Sequence, residues 1–171
     1  FSVHNALCAV ALAHLFGVSI DDAAASLAHT YVRGRFEIVK TPLDAVFILD
    51  YAHNGLSLES ALTTLRAYAP RRLVCVLGSV GGRTEGRRAE LGKVVSEKAD
   101  MAILTADNPD FEDPAAICAA IRDAFVREIP TEIIPDRAEA VRYAVEHAGA
   151  GDIVLFAGKG HEQYQLVRGG K

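Results

Sequence analysis

Apolar positions change their spacing once along the chain. From Asn5 to Phe16 (NALCAVALAHLF) they are nearly continuous, interrupted at His14, and predict a helix over 5–16 that Gly17 ends. Ser19 is placed to cap a second helix over 20–29, with Asp21 and Asp22 in its first turn, where the helix dipole favours anions. Both helices are apolar almost all round, and such helices need neighbours on every side. Thr30–Gly34 reads as a loop. Beyond it, short β-branched runs at Phe36–Val39, Ala45–Leu49, Leu73–Leu77, Met101–Thr105, Glu132–Ile134 and Ile153–Phe156 alternate with amphipathic helices over 58–68, 87–99, 114–127 and 137–148. Asp136 and Glu139 have capping-box spacing at the last helix start. Near-continuous apolar strands separated by helices imply a mostly parallel sheet covered on both faces, a Rossmann-like doubly wound α/β fold preceded by a short helical segment. The boundary falls between 1–33 and 34–171.

Composition narrows the class. With 171 residues, 50% hydrophobic and 23% charged, the chain can bury a real core and is not a disordered segment. A net charge of −4 leaves no pervasive basic surface, so no nucleic-acid partner is expected. No apolar run approaches the ~18 residues needed to span a bilayer, and no signal peptide is visible, so neither membrane association nor export is expected. Cys8, Cys75 and Cys118 lie far apart in apolar surroundings and read as reduced, buried residues rather than a disulfide or zinc site. His4, His14, His29 and His147 read as structural. The chain opens at Phe1 within the first helical pattern, which reads as a piece of a longer protein.

Sheets of this kind bind ligands at the carboxyl ends of their strands. Asp50-Tyr51-Ala52-His53-Asn54 follows one strand, and the Gly78–Arg88 loop (GSVGGRTEGRR) follows the next. Asp107-Asn108-Pro109-Asp110 follows another, and Gly158-Lys159-Gly160-His161-Glu162 the last. The opposite ends carry little of this kind, so one site is expected on that rim. Glycines let backbone N–H groups approach a ligand, and arginine forks match carboxylate or phosphate. Arg83, Arg87 and Arg88 therefore read as an anion site or as a solvated helix start. Asp50 reads as a ribose contact or a turn cap, and His53 as a phosphate contact or a loop cap. Asp107-Asn108-Pro109 is a turn signal as much as a site. Glu162 suits a ligand amine or a pair with Lys159, and Asn5 could be a helix cap. No Walker A spacing and no G-x-G-x-x-G fingerprint occurs, which disfavours a plain dehydrogenase domain.

Taken together these motifs resemble the Mur ligase family. The pieces are Phe1-Ser2-Val3-His4-Asn5-Ala6-Leu7, Gly34-Arg35, Asp50-Tyr51-Ala52-His53, Gly81-Gly82-Arg83 with Gly86-Arg87-Arg88, Asp107-Asn108-Pro109, Asp136-Arg137-Ala138-Glu139-Ala140 and Gly158-Lys159-Gly160-His161-Glu162. They run in the family's order over essentially the whole chain. The set points to the branch that adds the third residue of the peptidoglycan stem peptide, a cytoplasmic reaction. The resemblance implies a three-domain enzyme of which this chain is the C-terminal domain plus the last helices of the central, ATP-binding one. It implies ATP-dependent amide formation through an acyl phosphate on the D-glutamate of a UDP-N-acetylmuramoyl dipeptide. Magnesium would be held mainly by the central domain, and this piece alone would be inactive. Arg35, Asp50 and His53 would complete the ATP site, with Asn5 near the nucleotide. Arg83 would hold the carboxylate of the incoming amino acid, and Asp107, Asn108, Gly158 and Glu162 would line the rest of its pocket.

One departure bears on the substrate. Members of the family that use meso-diaminopimelate carry Arg after Asp-Asn-Pro; here that position is Asp110. A carboxylate there repels a distal carboxylate and favours a distal ammonium, which implies L-lysine or L-ornithine. Gly82 stands where many members carry a polar residue. The alternatives are a free-standing nucleotide- or amino-acid-binding module, or another ligase of the family such as a folylpolyglutamate or cyanophycin synthetase. The Gly-Lys-Gly-His-Glu run argues against the latter two.

Overall fold

The computed structural model describes residues 2–82 and 85–167, with the side chains of Ser2 and Glu85 outside the described set. It divides into two compact units, 1–32 and 33–171. The first holds helices α1 (Ser2–Leu15) and α2 (Ile20–Leu27). Ser19 caps α2 as its side chain accepts the Asp22 amide at 3.0 Å. Asn5 lies inside α1 and is exposed, so it is not the cap that its residue type allowed. Leu7, Leu12, Leu15 and Phe16 are exposed, as an all-round apolar helix pair without enough neighbours must be. Cys8 is exposed for the same reason, against the expectation of burial, whereas Cys75 and Cys118 are buried.

The second unit is a six-stranded sheet with four helices. In chain order it runs β1 (Glu37–Val39), β2 (Val46–Asp50), α3 (Gly55–Arg66), β3 (Leu73–Leu77), α4 (Glu85–Lys98), β4 (Met101–Leu104), α5 (Pro114–Asp123), β5 (Thr131–Ile133), α6 (Arg137–Glu146) and β6 (Ile153–Ala157). The strand order is β1-β2-β6-β3-β4-β5, with β1 antiparallel to β2 and every other pairing parallel. Strand side chains alternate between two cores. Ile48, Cys75, Leu77, Leu104 and Leu155 pack with Leu58 and Leu62 of α3, Leu91 and Val95 of α4, and Ile117 and Ile121 of α5. Phe47, Val74, Val76, Ile103, Val154 and Phe156 pack on the other face with Ala140 and Ala144 of α6. Every residue of β3 and β6 is buried, which is why both read as unbroken apolar runs.

Differences from the sequence reading have local causes. α3 begins at Gly55 because Asn54 and Ser57 form a reciprocal capping box. α5 stops at Asp123, short of 127, because the chain beyond it bonds to α4 instead. There the Val126 amide donates to Ser96 Oγ at 3.0 Å, and the Arg127 guanidinium reaches the carbonyls of Ser96 and Ala99. At α6, Asp136 accepts the Glu139 amide at 2.9 Å, which is half of the expected box. The sheet positions the site in one further way. The chain moves outward from β2 through β3 and β4 to β5, then returns on the opposite face through α6. β6 thus enters between β2 and β3, and the loop that follows it emerges between theirs.

Candidate functional site at the carboxyl rim

Asp50 is the last residue of β2 and is buried. Its Oδ2 accepts the Phe36 amide at 2.8 Å and its Oδ1 the Ala52 amide at 2.9 Å. Phe36 stands at φ 52, a conformation that bulky residues avoid, and the bond to Asp50 holds it there. Asp50 thus acts as a turn cap, yet each oxygen keeps a second lone pair for a hydroxyl donor. Beside it the Arg35 guanidinium lies 4.5 Å above the Tyr51 ring, and that ring is 4.9 Å from the His53 imidazole. His53 Nδ1 is 2.9 Å from the Tyr51 carbonyl. A carbonyl only accepts, so Nδ1 carries the proton and Nε2 is the nitrogen left for a ligand. The result is a ledge with a guanidinium at one end and an imidazole at the other.

The loops after β3, β4 and β6 are stitched into a second group. The Gly81 amide donates to the Asn108 carbonyl at 2.8 Å, and a Cβ on Gly81 would overlap the Pro109 carbonyl, so these turns touch through glycine alone. Lys159 is buried, and its Nζ donates to Asn108 Oδ1 and to the Tyr164 carbonyl, both at 2.9 Å, with Asp107 Oδ1 at 3.4 Å. Asn108 Oδ1 also accepts the Leu166 amide, and the Asp110 amide donates to the Leu166 carbonyl. The segment 164–167 therefore runs alongside the Asp107–Asp110 turn. Gly158 turns at φ 91, and a Cβ there would stand 3.4 Å from Asp107 Oδ2. Glu162 Oε2 accepts the Gly160 amide at 2.9 Å, and Lys159 pairs with Asp107 rather than with Glu162.

Three contributors are not legible as such in the sequence. Arg137, at the start of α6, donates to the Ala106 and Ala157 carbonyls at 3.2 and 3.1 Å and so joins the ends of β4 and β6. Burial pulls its guanidinium below the ordinary arginine range, and the carboxylates of Asp107 and Glu162 pull it back. Its motif is visible in the sequence but its burial is not. Lys159 reads there only as a partner for Glu162. Glu112 gives no signal at all, because its partner Arg88 is 24 residues away. That pair also corrects the reading of Arg88, which is neither a solvated helix start nor a free anion hook: it is buried and bonded to Glu112. The rim does gather Asp50, His53, Asp107, Asn108, Asp110, Gly158 and Glu162 at the ends of β2, β4 and β6. Arg83 lies outside the described residues, and among the described residues no group of three His, Cys, Asp or Glu could hold a metal ion.

Comparison with known proteins puts a family to this arrangement. The profile described as "Mur ligase, glutamate ligase domain" matches residues 34–160. The chain is 39% identical over 168 residues, 98% of its length, to the UDP-N-acetylmuramoyl-L-alanyl-D-glutamate--2,6-diaminopimelate ligase of Caldanaerobacter subterraneus subsp. tengcongensis, and covers 35% of that protein. It is 40% identical over 171 residues to the corresponding L-lysine ligase of Enterococcus faecalis, covering 99% of this chain and 34% of that one. The chain thus spans about a third of the length of the curated relatives it matches. A solved 2,6-diaminopimelate ligase superposes with a TM-score of 0.73 at 33% identity, over 97% of this chain and 34% of that one. A folylpolyglutamate synthase/dihydrofolate synthase from Yersinia pestis, complexed with AMPPNP and a manganese ion, shares the fold at a TM-score of 0.68 and 22% identity, over 88% of this chain and 34% of that one. The match across 34–160 establishes that the chain belongs to the Mur ligase family.

Proposed function

We propose that this chain is the C-terminal part of a cytoplasmic, ATP-dependent ligase that adds a diamino acid to UDP-N-acetylmuramoyl-L-alanyl-D-glutamate in peptidoglycan synthesis. In this reading 34–171 is the domain that receives the amino acid, and 1–33 is the end of the ATP-binding domain. The Asp50 ledge takes the nucleotide: spare lone pairs on Asp50 suit ribose hydroxyls, and Arg35 and His53 suit phosphate. Magnesium would travel with the phosphates and be held by the rest of the longer protein. The second group of loops takes the amino acid, with Arg83 on its carboxylate and Asp107, Asn108, Gly158 and Glu162 around it. These residues form no covalent bond. They place an amine against an activated carboxyl and balance its charge, which is catalysis by proximity and electrostatics. Most phosphate contacts and the acyl phosphate itself belong to the remainder of the enzyme, so this piece alone is inactive.

Substrate choice is read from Asp110. It sits at φ 55 with its amide bound to the Leu166 carbonyl, and Oδ2 is 3.5 Å from where a Cβ of residue 82 would stand. Among the described residues no cation lies within ion-pair distance of it. A carboxylate at this position favours an ammonium and repels a second carboxylate, so L-lysine or L-ornithine is the expected substrate and meso-diaminopimelate the disfavoured one. The complete enzyme, given the UDP-linked dipeptide, ATP and magnesium with the three amino acids in parallel, should form the lysine or ornithine adduct by mass. Asp110→Arg should cut kcat/KM for that substrate by ~10- to 100-fold, as loss of a favourable charge contact and gain of a repulsive one does. Faster ligation of diaminopimelate by the unmodified enzyme would sink the specificity reading and leave the ligase reading standing.

A further inference from the structure

Outside the ledge and the amino-acid loops, one charged pair stands out for the burial of its cation and the reach of its half-exposed carboxylate. Arg88 projects from the first turn of α4 and is nine-tenths buried. Its Nη2 lies between both carboxylate oxygens of Glu112, at 2.8 and 2.7 Å. The same Glu112 Oε1 accepts the Gly82 amide at 2.6 Å. Glu112's own amide donates to the Pro109 carbonyl at 2.9 Å. One side chain therefore spans three segments: the first turn of a rigid helix, the glycine turn after β3, and the turn after β4. Arg88 Nε is buried with no hydrogen-bond partner among the described residues, a cost that a purely stabilising surface contact would not carry. The Gly82 amide, followed by Arg88, holds the Glu112 carboxyl below the ordinary carboxylate range, so the clamp stays charged at neutral pH.

The clamp joins the two turns that carry Gly82 and Asp110. Gly82 and Asp110 face each other across the two turns, and Glu112 fixes the first while its amide fixes the turn that carries the second. We infer that Glu112, backed by Arg88, is a positioning residue for the incoming amino acid, which sets the spacing between Gly82 and Asp110 without touching the substrate. This rests on the reading of the chain as an amino-acid-adding ligase. A displacement of about 1 Å at a positioning group is enough to cost up to ~100-fold in rate or affinity.

The test uses the complete enzyme and three variants, Glu112→Ala, Glu112→Gln and Glu112→Asp. KM is measured separately for the diamino acid and for ATP, together with kcat, and amide hydrogen exchange is followed over 78–82 and 106–112. Glu112→Ala is expected to raise the amino-acid KM by ~10-fold while the ATP KM and kcat stay within ~3-fold, the split expected when only one substrate's subsite loosens. Glu112→Gln keeps an oxygen for the Gly82 amide and should recover most of the loss. Glu112→Asp keeps the charge but withdraws it by one methylene and should fall between, and it stands in should the alanine variant fail to fold. Exchange at Gly81 and Gly82 should quicken. An unchanged amino-acid KM in a folded Glu112→Ala or Glu112→Asp enzyme overturns the inference, as does a parallel rise in both KM values with a lowered melting point. If the unmodified enzyme joins no amino acid to the dipeptide, the ligase reading falls first and this inference with it.

Discussion

A buried carboxylate can be a ligand or a fastener, and residue type alone does not say which. Asp152 shows the fastener in pure form. It is fully buried at the amino end of β6 and takes both Arg71 and Arg72 as well as the Gly149 amide. Burial alone would raise its pKa; the Arg72 pair, the Gly149 amide and Arg71 outweigh that and hold it at about 2, against an ordinary 3.8. A carboxyl lowered in the folded state adds stability above its unfolded pKa and loses it as pH falls through the folded one. Stability should therefore drop between about pH 5 and pH 2, and this residue's share is about 2 kcal/mol, since each tenfold change in proton affinity is worth ~1.36 kcal/mol. Urea midpoints across that range, compared between the native chain and Asp152→Asn, check it: the variant should lack that share of the slope. Asp50 is a hybrid, fastened to two amides yet open to further donors, and its residue type and position leave both roles open for this reason. Lys159 and Glu112 are illegible in the sequence because their partners lie far away along the chain, where only the fold brings them together.

At the level of elements the pattern is legible wherever burial is two-sided. β3 and β6 contact helices on both faces and so read as pure apolar runs. β1 is visible, but its direction is not: a three-residue edge strand with exposed Ile38 and Val39 carries no mark of antiparallel pairing. Helix ends differ from the periodicity where caps or long-range bonds decide them. Asn54 is the clearest case, since as the N-cap it follows His53 directly and starts α3 at Gly55. Asn54→Ala should cost about 1 kcal/mol, the usual loss for a removed N-cap. Thermal unfolding of the single variant measures that.

For the whole molecule, the proposed function makes the rim complete for the amino acid and partial for the nucleotide. In that reading one ledge of nucleotide contacts falls within 33–171, and among the described residues no group of three His, Cys, Asp or Glu could hold a metal ion. Titration calorimetry on the 171-residue chain should accordingly show ATP binding no tighter than about millimolar, corresponding to only ~4 kcal/mol of binding free energy. Micromolar binding by the isolated chain would contradict the division of labour proposed for it. In the sheet, β6 is the last strand made, yet it lies between β2 and β3 and touches both along its length. Until it inserts, β1-β2 and β3-β4-β5 are separate ribbons, each with an unpaired apolar edge. Such long-range closure is slow to find, and open edges invite association. During synthesis the chain must then wait, half-assembled, for residues 153–157 to leave the ribosome. The insertion that joins the two ribbons also delivers Gly158 and Lys159 to the rim, so the sheet and the pocket come into being in one event.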